Sequence, residues 1–547
     1  MSRRSLFSGL LLLSLVLAAW LGSRAGWFGA SCKGCRNVLL ISIDSLRRDR
    51  LGLYGHRPEF APPGTEVSPN LDALGREGVV FDAAWSTSSW TLPAHMALLT
   101  GLSDRSHGVE IDYLALDPKR RTLTQELDQA GYRTAGFYSG PYLDPRYGFA
   151  RGFDRYESGM MSPEEKEKEF QRANRERLAR GLPPLDRARF LDALSHQEET
   201  SRKVTSLGLE FLEEAAGEPF FLFLHYFDVH YDYSPETYDP ELARLFDPDY
   251  AGGLSSRNWY GNPEVRDPRT GERRIGERDL AHALAMYDAE IHWVDRHVGR
   301  ILERLEELGL AEDTVVCVVS DHGDEFFEHG SIGHRSTLYV ENTAIPLILR
   351  LPGEGTLAGT RVPASVRIYD VAPTLLDYSG SGAVLQEAEG VSLRPWIEGM
   401  ETRDLPVLQR MMGTLRPMLD GFRQGPWFVV RRFQASPSGQ GIDARSSGRV
   451  EVLDRSRDPA ELQPLALSDP RREEALEAFC RAFEAGEAHA ASLPLSSWDL
   501  RLSPARTREE EAMLGHLGYA ESQEVERSQG LPILPLPSPC PEDRGER

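Results

Sequence analysis

Three short polar clusters, far apart along the chain, follow runs of apolar residues. Asp44 closes "NVLLISID", His225, Asp228 and His230 fall within "LHYFDVHYD", and Asp321 and His322 follow "VCVVS". Carboxylates and imidazoles are side chains that bind divalent cations, and ligands of open α/β sheets sit at the carboxyl ends of the strands. An acid after a single strand commonly does no more than cap the next helix. Three strand ends that offer Asp and His together point instead to a shared metal site and metal-assisted chemistry.

The elements that must bring those ends together are legible as an alternation. Residues 37–44, 133–139, 220–228 and 314–321 are apolar, largely continuous runs, the pattern of strands buried on both faces. Residues 68–78 read as a short helix, with Ser and Pro at the start and Gly at the end, and residues 280–309 as a long amphipathic helix closed by Gly. Strands alternating with helices predict an α/β fold with a mostly parallel central sheet flanked by helices. Residues 160–205, dominated by Glu, Arg and Lys, read as inserted surface helices without chemistry. Residues 231–279, rich in Pro, Gly, Asp and aromatics, suit a long loop beside a binding cleft. Residues 427–434 and 449–455 read as hairpin strands of a smaller α+β subdomain, with helices running on to "MLGHLGY" and a Pro-rich, charged tail that is expected to be disordered. The expected division is a leader or anchor over 1–35, a catalytic domain over 36–382, a C-terminal subdomain over 383–520 and a tail over 521–547.

Composition narrows the partners. The 547-residue chain carries a formal net charge of −22, which excludes a nucleic-acid partner that needs a basic surface. An anionic small molecule stays compatible, because a local cluster of metal and His outweighs a distant acidic surface. Arg3 and Arg4 precede an uncharged, mostly apolar run over residues 6–22, as in a secretory signal or signal anchor. The expectation is an exported protein, periplasmic, extracellular or membrane-anchored through 6–22 with its body outside the cytoplasm. Cys32 and Cys35 form a CxxC with no second pair, an incidental pair or a local disulfide rather than a zinc site. Cys317 reads as buried filler, and no feature fixes the oligomeric state.

The colinear stretches "NVLLISIDSLRRDRLGLYG", "SPNLDALGREGVVFDAAWS", "TLPAHMALLTGLSDRSHGV", "HYFDVHYDYSPE", "VVSDHGDEFFEHG", "IPLILRLPG" and "DVAPTLLDYSG" resemble the sulfatase family of the alkaline phosphatase superfamily from about Arg36 to Gly380. The resemblance weakens through "VEVLDRSRDPAELQPLA" and "EEEAMLGHLGYAE". It implies an alkaline-phosphatase-like catalytic domain, hydrolysis of an anionic ester, and a divalent metal held by Asp44, Thr91, Asp321 and His322. It puts His230 where members contact the ester oxygens, and His334 near the place where many use Lys.

The departures from the family pattern carry the chemical argument. Members usually have a second acid where this chain has Ser45, and Asp-Asn or Asp-Gln where it has Asp321-His322. One imidazole in an oxygen site favours Zn²⁺ or Mn²⁺, with Ca²⁺ still possible. Members oxidise a Cys or Ser to formylglycine where this chain has Thr91, and the Arg of that context is His95. Oxidising a threonine at its β-carbon gives a methyl ketone, so no formylglycine is expected and Thr91 has to act as a plain alcohol activated by metal. An alkyl sulfate on threonine lacks the exit that a hydrated aldehyde has, whereas a phosphothreonine can be hydrolysed. The expected substrates are therefore phosphate or phosphonate esters. His95, His230 and His334 join Thr91 as candidate catalytic residues; His95 suits a turn-fixing hydrogen bond equally, and Asp228 either a second metal or a structural role. Two alternatives stand beside this reading. One is a phosphoryl-group transferase of the same superfamily, although those usually carry several membrane segments. The other is a non-catalytic binding protein on the same fold, against which the intact ligand set speaks.

Overall fold

The computed structural model describes residues 34–496, apart from 188–189, 192–193, 195–197, 255–258, 260–261, 268–269, 354–356, 413–417 and 434–448. Strand β1 (Asn37–Ile43) is buried along its whole length. It pairs in parallel with β5 (Phe220–Tyr226) on one side and β6 (Thr314–Ser320) on the other. Beyond β5 the sheet continues in parallel to β3 (Arg133–Tyr138) and β4 (Arg155–Ser158). Beyond β6 lies the antiparallel β10 (Leu347–Arg350), then β2 (Val79–Trp85), which pairs with the parallel β11 (Thr360–Arg367) and the short antiparallel β9 (Ala344–Ile345). The result is a nine-stranded, mostly parallel sheet with β1 near its middle.

Side chains alternate across β1, so one strand feeds two cores. Val38 and Leu40 enter the cluster on one face, with Leu92 and Met96 of α2 (Thr91–Thr100) and Leu375 of α6 (Val371–Ser379). Leu39, Ile41 and Ile43 enter the other, with α1 (Pro69–Glu77), α4 (Ser201–Glu214) and the long α5 (Glu277–Glu307). Each such aliphatic side chain contributes on the order of 2 kcal/mol through burial. Cys317 is fully buried in β6. Cys35 is disulfide-bonded to a partner outside the described residues.

A second sheet follows, antiparallel in the order β12 (Val407–Met411), β13 (Leu419–Gln424), β14 (Trp427–Arg432), β15 (Arg449–Asp454). Helix α7 (Arg471–Ser492) packs Phe479 and Phe483 against its Phe422, Trp427 and Val429. Strand β12 also grips the large sheet's flank: the Arg410 amide donates to the Thr87 carbonyl at 2.7 Å, and Gln409 Nε2 donates to the Ser86 carbonyl at 2.8 Å.

Several expectations are corrected. The charged insertion ends before Ser201, because α3 (Pro163–Ala179) is polar and largely exposed while α4 buries Val204, Phe211 and Leu212. Ser68 does not cap α1 with its side chain; its hydroxyl donates to Asp72 instead. The stretch 231–279 is less a loop than expected, since it holds a helix at Pro240–Phe246 and buries Tyr231, Tyr233 and Trp259. The two expected C-terminal hairpin strands are β14 and β15, which do pair antiparallel, within a sheet of four strands. Residues 6–22, "MLGHLGY" and the tail lie outside the described residues, and no described helix is long and apolar enough to cross a membrane.

Candidate active site

The carboxyl ends of β1, β5 and β6 lie side by side, so the residues that follow them share one place. Asp44 leaves β1 with its amide donating to the Tyr226 carbonyl at 2.9 Å. The chain then turns at Ser45, which holds a left-handed φ of 56°. That conformation costs a non-glycine residue about 1 kcal/mol, and three contacts fix it. The Ser45 amide donates to Asp321 Oδ1 at 3.1 Å, its hydroxyl donates to Asp44 Oδ1 at 3.0 Å, and its carbonyl accepts from the Tyr287 hydroxyl at 2.6 Å. Ser45 thus bridges the two acids where a second acid would have stood.

Thr91 opens α2, a helix whose ten residues are all buried and which Gly101 closes in the left-handed conformation. The helix N-terminus brings partial positive charge to the threonine. The Thr91 hydroxyl donates to Asp44 Oδ2 at 3.3 Å and lies 3.4 Å from His322 Nε2. One turn along, His95 Nδ1–H donates to the Thr91 carbonyl at 2.9 Å, and its Nε2 accepts from the Ser42 hydroxyl at 2.9 Å. Burial and the neighbouring His225 push the His95 imidazole down to about 3, so the ring is neutral. Both nitrogens meet protein atoms, and the role this geometry serves is tying the Thr91 turn to β1.

Asp321 Oδ1 accepts from the Ser45 and His322 amides, whereas Oδ2 is buried without a hydrogen-bond donor, 3.3 Å from His322 Nε2. His322 Nδ1–H donates to the Gly323 carbonyl at 3.0 Å, which leaves Nε2 as the nitrogen able to ligate. Ligand atoms of Asp44, Asp321 and His322 all lie within 4.8 Å of one another. Burial and the charge of Asp44 push the Asp321 carboxyl up to about 7. Burial alone would raise Asp44 too, but the close approach of His225 and the charges of His322 and His230 hold it well below the usual carboxylate range. Two facing acids, an imidazole and an alcohol, with one carboxylate oxygen lacking a donor, are a donor set that fits a divalent cation.

The same motif turns tightly because residue 323 is glycine. A Cβ there would lie 2.1 Å from the Glu341 carbonyl oxygen and 2.9 Å from Arg47 Cγ. Gly323→Ala is expected to cost about 1–3 kcal/mol and to lower the melting temperature, since backbone must move. Unchanged thermal unfolding would show that the turn has slack.

The sulfatase family model matches residues 36–381. The chain belongs to the sulfatase family. The arylsulfatase of Clostridium perfringens is 26% identical over 477 residues, spanning 80% of this chain and 91% of that protein. The multifunctional alkaline phosphatase superfamily protein PehA of Trinickia caryophylli is 27% identical over 414 residues, 66% of this chain and 77% of the other. Among solved structures, the phosphonate monoester hydrolase of Silicibacter pomeroyi shares the fold with a TM-score of 0.61 at 21% identity, covering 87% of this chain and 99% of that one. The protein is a sulfatase-family hydrolase with both sulfatases and phosphonate hydrolases as neighbours.

Within this family framework the remaining histidines line one side of the acids. His225 Nδ1–H donates to the Ser139 carbonyl at 2.7 Å, and its Nε2 lies 3.3 Å from Asp44 Oδ2. His230 Nδ1–H donates to the Tyr231 carbonyl at 2.7 Å, and burial, then His334, push this imidazole down to about 3. The His334 ring lies 4.9 Å from that of His230 and 4.4 Å from that of His322. The hairpin of β7 (Glu325–Phe326) and β8 (Ile332–Gly333) pairs Glu325 with Gly333, which sets Asp324 opposite His334. Asp228 stands apart: it accepts from the Thr200 amide and hydroxyl and the Ser201 amide at 2.7–2.9 Å, a structural acid at the start of α4. His329 stacks on Tyr339 and reaches the Glu461 carbonyl. Sequence reasoning named His225 in a strand-end cluster but gave it no role, and passed over Asp324, for which its closeness in sequence to His322 was the available signal.

Proposed function

We propose that the protein is a metal-dependent hydrolase of phosphate or phosphonate esters that uses Thr91 as its nucleophile. The observation that carries this is the Thr91 hydroxyl, held between Asp44 Oδ2 at 3.3 Å and His322 Nε2 at 3.4 Å. Asp44, Thr91, Asp321 and His322 would hold the cation, Zn²⁺ or Mn²⁺ in preference to Ca²⁺, which when bound supplies positive charge that lowers the hydroxyl pKa and stabilises the ester's negative oxygens. Asp44 accepts the Thr91 hydrogen bond, orients the oxygen for attack, and takes up the hydroxyl proton until the phosphothreonine is cleaved. The Thr91 Oγ1–phosphorus bond forms as the bond to the leaving oxygen breaks, and His230 or His334 serves that oxygen with a proton. Water then cleaves the phosphothreonine and returns the hydroxyl.

The named activities of the relatives include both ester classes, and the replacement of the formylglycine position by threonine favours the phosphorus branch. A panel of nitrophenyl phosphate monoester, diester, phosphonate and sulfate tests the choice. The phosphorus esters are expected to turn over faster than the matching sulfate. Faster sulfate cleavage would reverse the assignment, and no turnover on any ester would favour the binding-protein alternative.

Export is proposed on the same footing, supported by Arg3, Arg4 and the apolar run over 6–22. Cell fractionation of the full-length protein checks it: the body is expected outside the cytoplasm, and a cytosolic soluble pool would overturn the reading.

A further inference from the structure

Where the two sheets meet, positive charge exceeds the negative charge paired with it. Trp85, which closes β2, is fully buried, and three guanidiniums lie against its ring. Arg423 of β13 stands 4.2 Å from the ring centre, Arg455 after β15 stands 4.4 Å from it, and Arg48, from the segment after β1, stands 5.6 Å from it. Arg423 is fully engaged. Its Nε donates to Gln409 Oε1 at 2.9 Å, its Nη2 donates to the Leu338 carbonyl at 2.7 Å, and both Nη atoms reach the buried Glu461 carboxylate.

Arg48 and Arg455 are not engaged in that way. Arg455 Nη1 donates to the Gly425 carbonyl at 3.4 Å, and its Nε stands 3.7 Å from Glu461 Oε1. Arg48 Nη1 donates to the Asp82 carbonyl, while the Asp82 carboxylate pairs with Arg361. The other acids that act on these two arginines are held elsewhere, Asp49 by Arg47 and Asp404 Oδ1 by the Ser365 amide. A guanidinium has five N–H groups, so most of those on Arg48 and Arg455 lack an acceptor among the described residues. The Trp85 indole N–H is buried and lacks an acceptor as well, which is uncommon for a buried donor. Burial, and then the charge of Arg423, push Arg455 down to about 10, and burial pushes Arg48 down too. An anion between them would relieve both.

We propose that Arg48, Arg455 and the Trp85 indole N–H form a binding site for a phosphate or sulfate group at the seam of the two sheets. The site shares no residue with the Asp44–Asp321 centre and does not depend on the hydrolase reading. The two guanidinium carbons are no more than about 10 Å apart, a distance of the order that one tetrahedral oxyanion spans when a guanidinium holds it from each side. A carboxylate has two oxygens in one plane and serves a single guanidinium fork, whereas a tetrahedral group offers oxygens to two forks and an indole at once. The chain's net charge of −22 does not forbid this, because a local cluster of like charges sets the local potential. Arg48 belongs to the catalytic sheet and Arg455 to the C-terminal one, so the bound group would join them.

The test titrates inorganic phosphate and sulfate, with acetate and chloride as controls at constant ionic strength, into the full chain loaded with Zn²⁺. The readout is the indole ¹H–¹⁵N resonance of Trp85, identified by its loss in Trp85→Phe. Melting temperature is a poor substitute, since both anions stabilise proteins generally by exclusion from the surface. Phosphate and sulfate are expected to move that resonance saturably, and acetate and chloride to leave it in place. Arg48→Gln and Arg455→Gln should each raise the dissociation constant by about tenfold or more. Arg455→Lys, which keeps the charge without the fork, should weaken binding less and guards against a variant that fails to fold. Phenyl phosphate distinguishes the source: binding equal to that of inorganic phosphate marks a site for the free ion, and tighter binding marks a site for the end group of a larger ester. A Trp85 resonance that neither anion moves would overturn the proposal, as would one that moves equally in wild type and in both glutamine variants. A protein that turns over no ester should still show the shift, so the two readings fail separately.

Discussion

Thr91→Ala is expected to lower turnover by on the order of a thousandfold or more while the protein stays folded. The effect is large because in the proposed mechanism the hydroxyl oxygen is the atom that bonds to phosphorus, and no neighbouring alcohol can replace it at the start of α2. Ser88 and Ser89 precede the helix and are buried in the approach to it. Stability should change by no more than about 1–2 kcal/mol, since the substitution removes two small atoms and leaves the helix backbone and the His95 contact to the residue 91 carbonyl in place. Steady-state kinetics and thermal unfolding measured together separate loss of the nucleophile from loss of the fold. Mass spectrometry adds a direct readout: Thr91 should be unoxidised, and a slow phosphoester should leave a phosphoryl adduct on it. Robust turnover that survives the alanine would falsify the assignment.

Removing the metal, or removing one acid, should act in opposite directions on stability. In the metal-free protein, Asp321 is buried against Asp44 and its carboxyl is pushed up to about 7. A carboxyl whose folded pKa is raised contributes stability that is complete below its unfolded value, about 4, and lost as pH rises through the folded one. Asp321 by itself should therefore contribute a loss of stability between about pH 4 and 7, by up to about 1.4 kcal/mol per unit, set against the opposite contribution of the buried neutral His95 and His230 below about 6.5. Asp321→Asn lacks that charge, so the difference between the chelated proteins should grow over this window, and the variant should be the more stable near neutrality. With metal supplied the order should invert, because wild type gains about 3–4 kcal/mol when the free ion exceeds its dissociation constant by a few hundredfold, and the variant gains little. Melting curves with chelator and with Zn²⁺, Mn²⁺ or Ca²⁺, beside elemental analysis after dialysis, check both halves. Identical metal responses in the two proteins would remove Asp321 from the site, and retention of calcium alone would refute the preference drawn from His322.

Asp44, Asp321 and His322 could be brought together on paper because they follow strands that announce themselves. Both β1 and β6 are largely continuous apolar runs, and parallel neighbours must release their next residues at the same edge. Thr91 came instead from motif resemblance, since nothing in its local pattern says that a helix start will meet a strand end. His225 was harder, because a histidine inside an apolar run looks the same whether it fills space or faces a carboxylate. Asp324 and His334 depended on a two-residue hairpin pairing too short to carry a period. The strands β12 and β13 escaped because they bury charge, as where Arg410 meets Asp420 at 2.9 Å and Glu110 at 3.1 Å. A buried ion-pair network reads in sequence as surface.

The grip of β12 on Ser86 and Thr87 bears on how such a chain can be recombined. Those residues lead directly into Trp90 and Thr91, so part of the scaffold holding Thr91 is encoded more than three hundred residues later. The C-terminal sheet is therefore not an exchangeable cartridge. A chimera that borrows it from a relative to alter specificity also inherits that relative's placement of residue 91, unless positions 86, 87, 409 and 410 travel together as one unit.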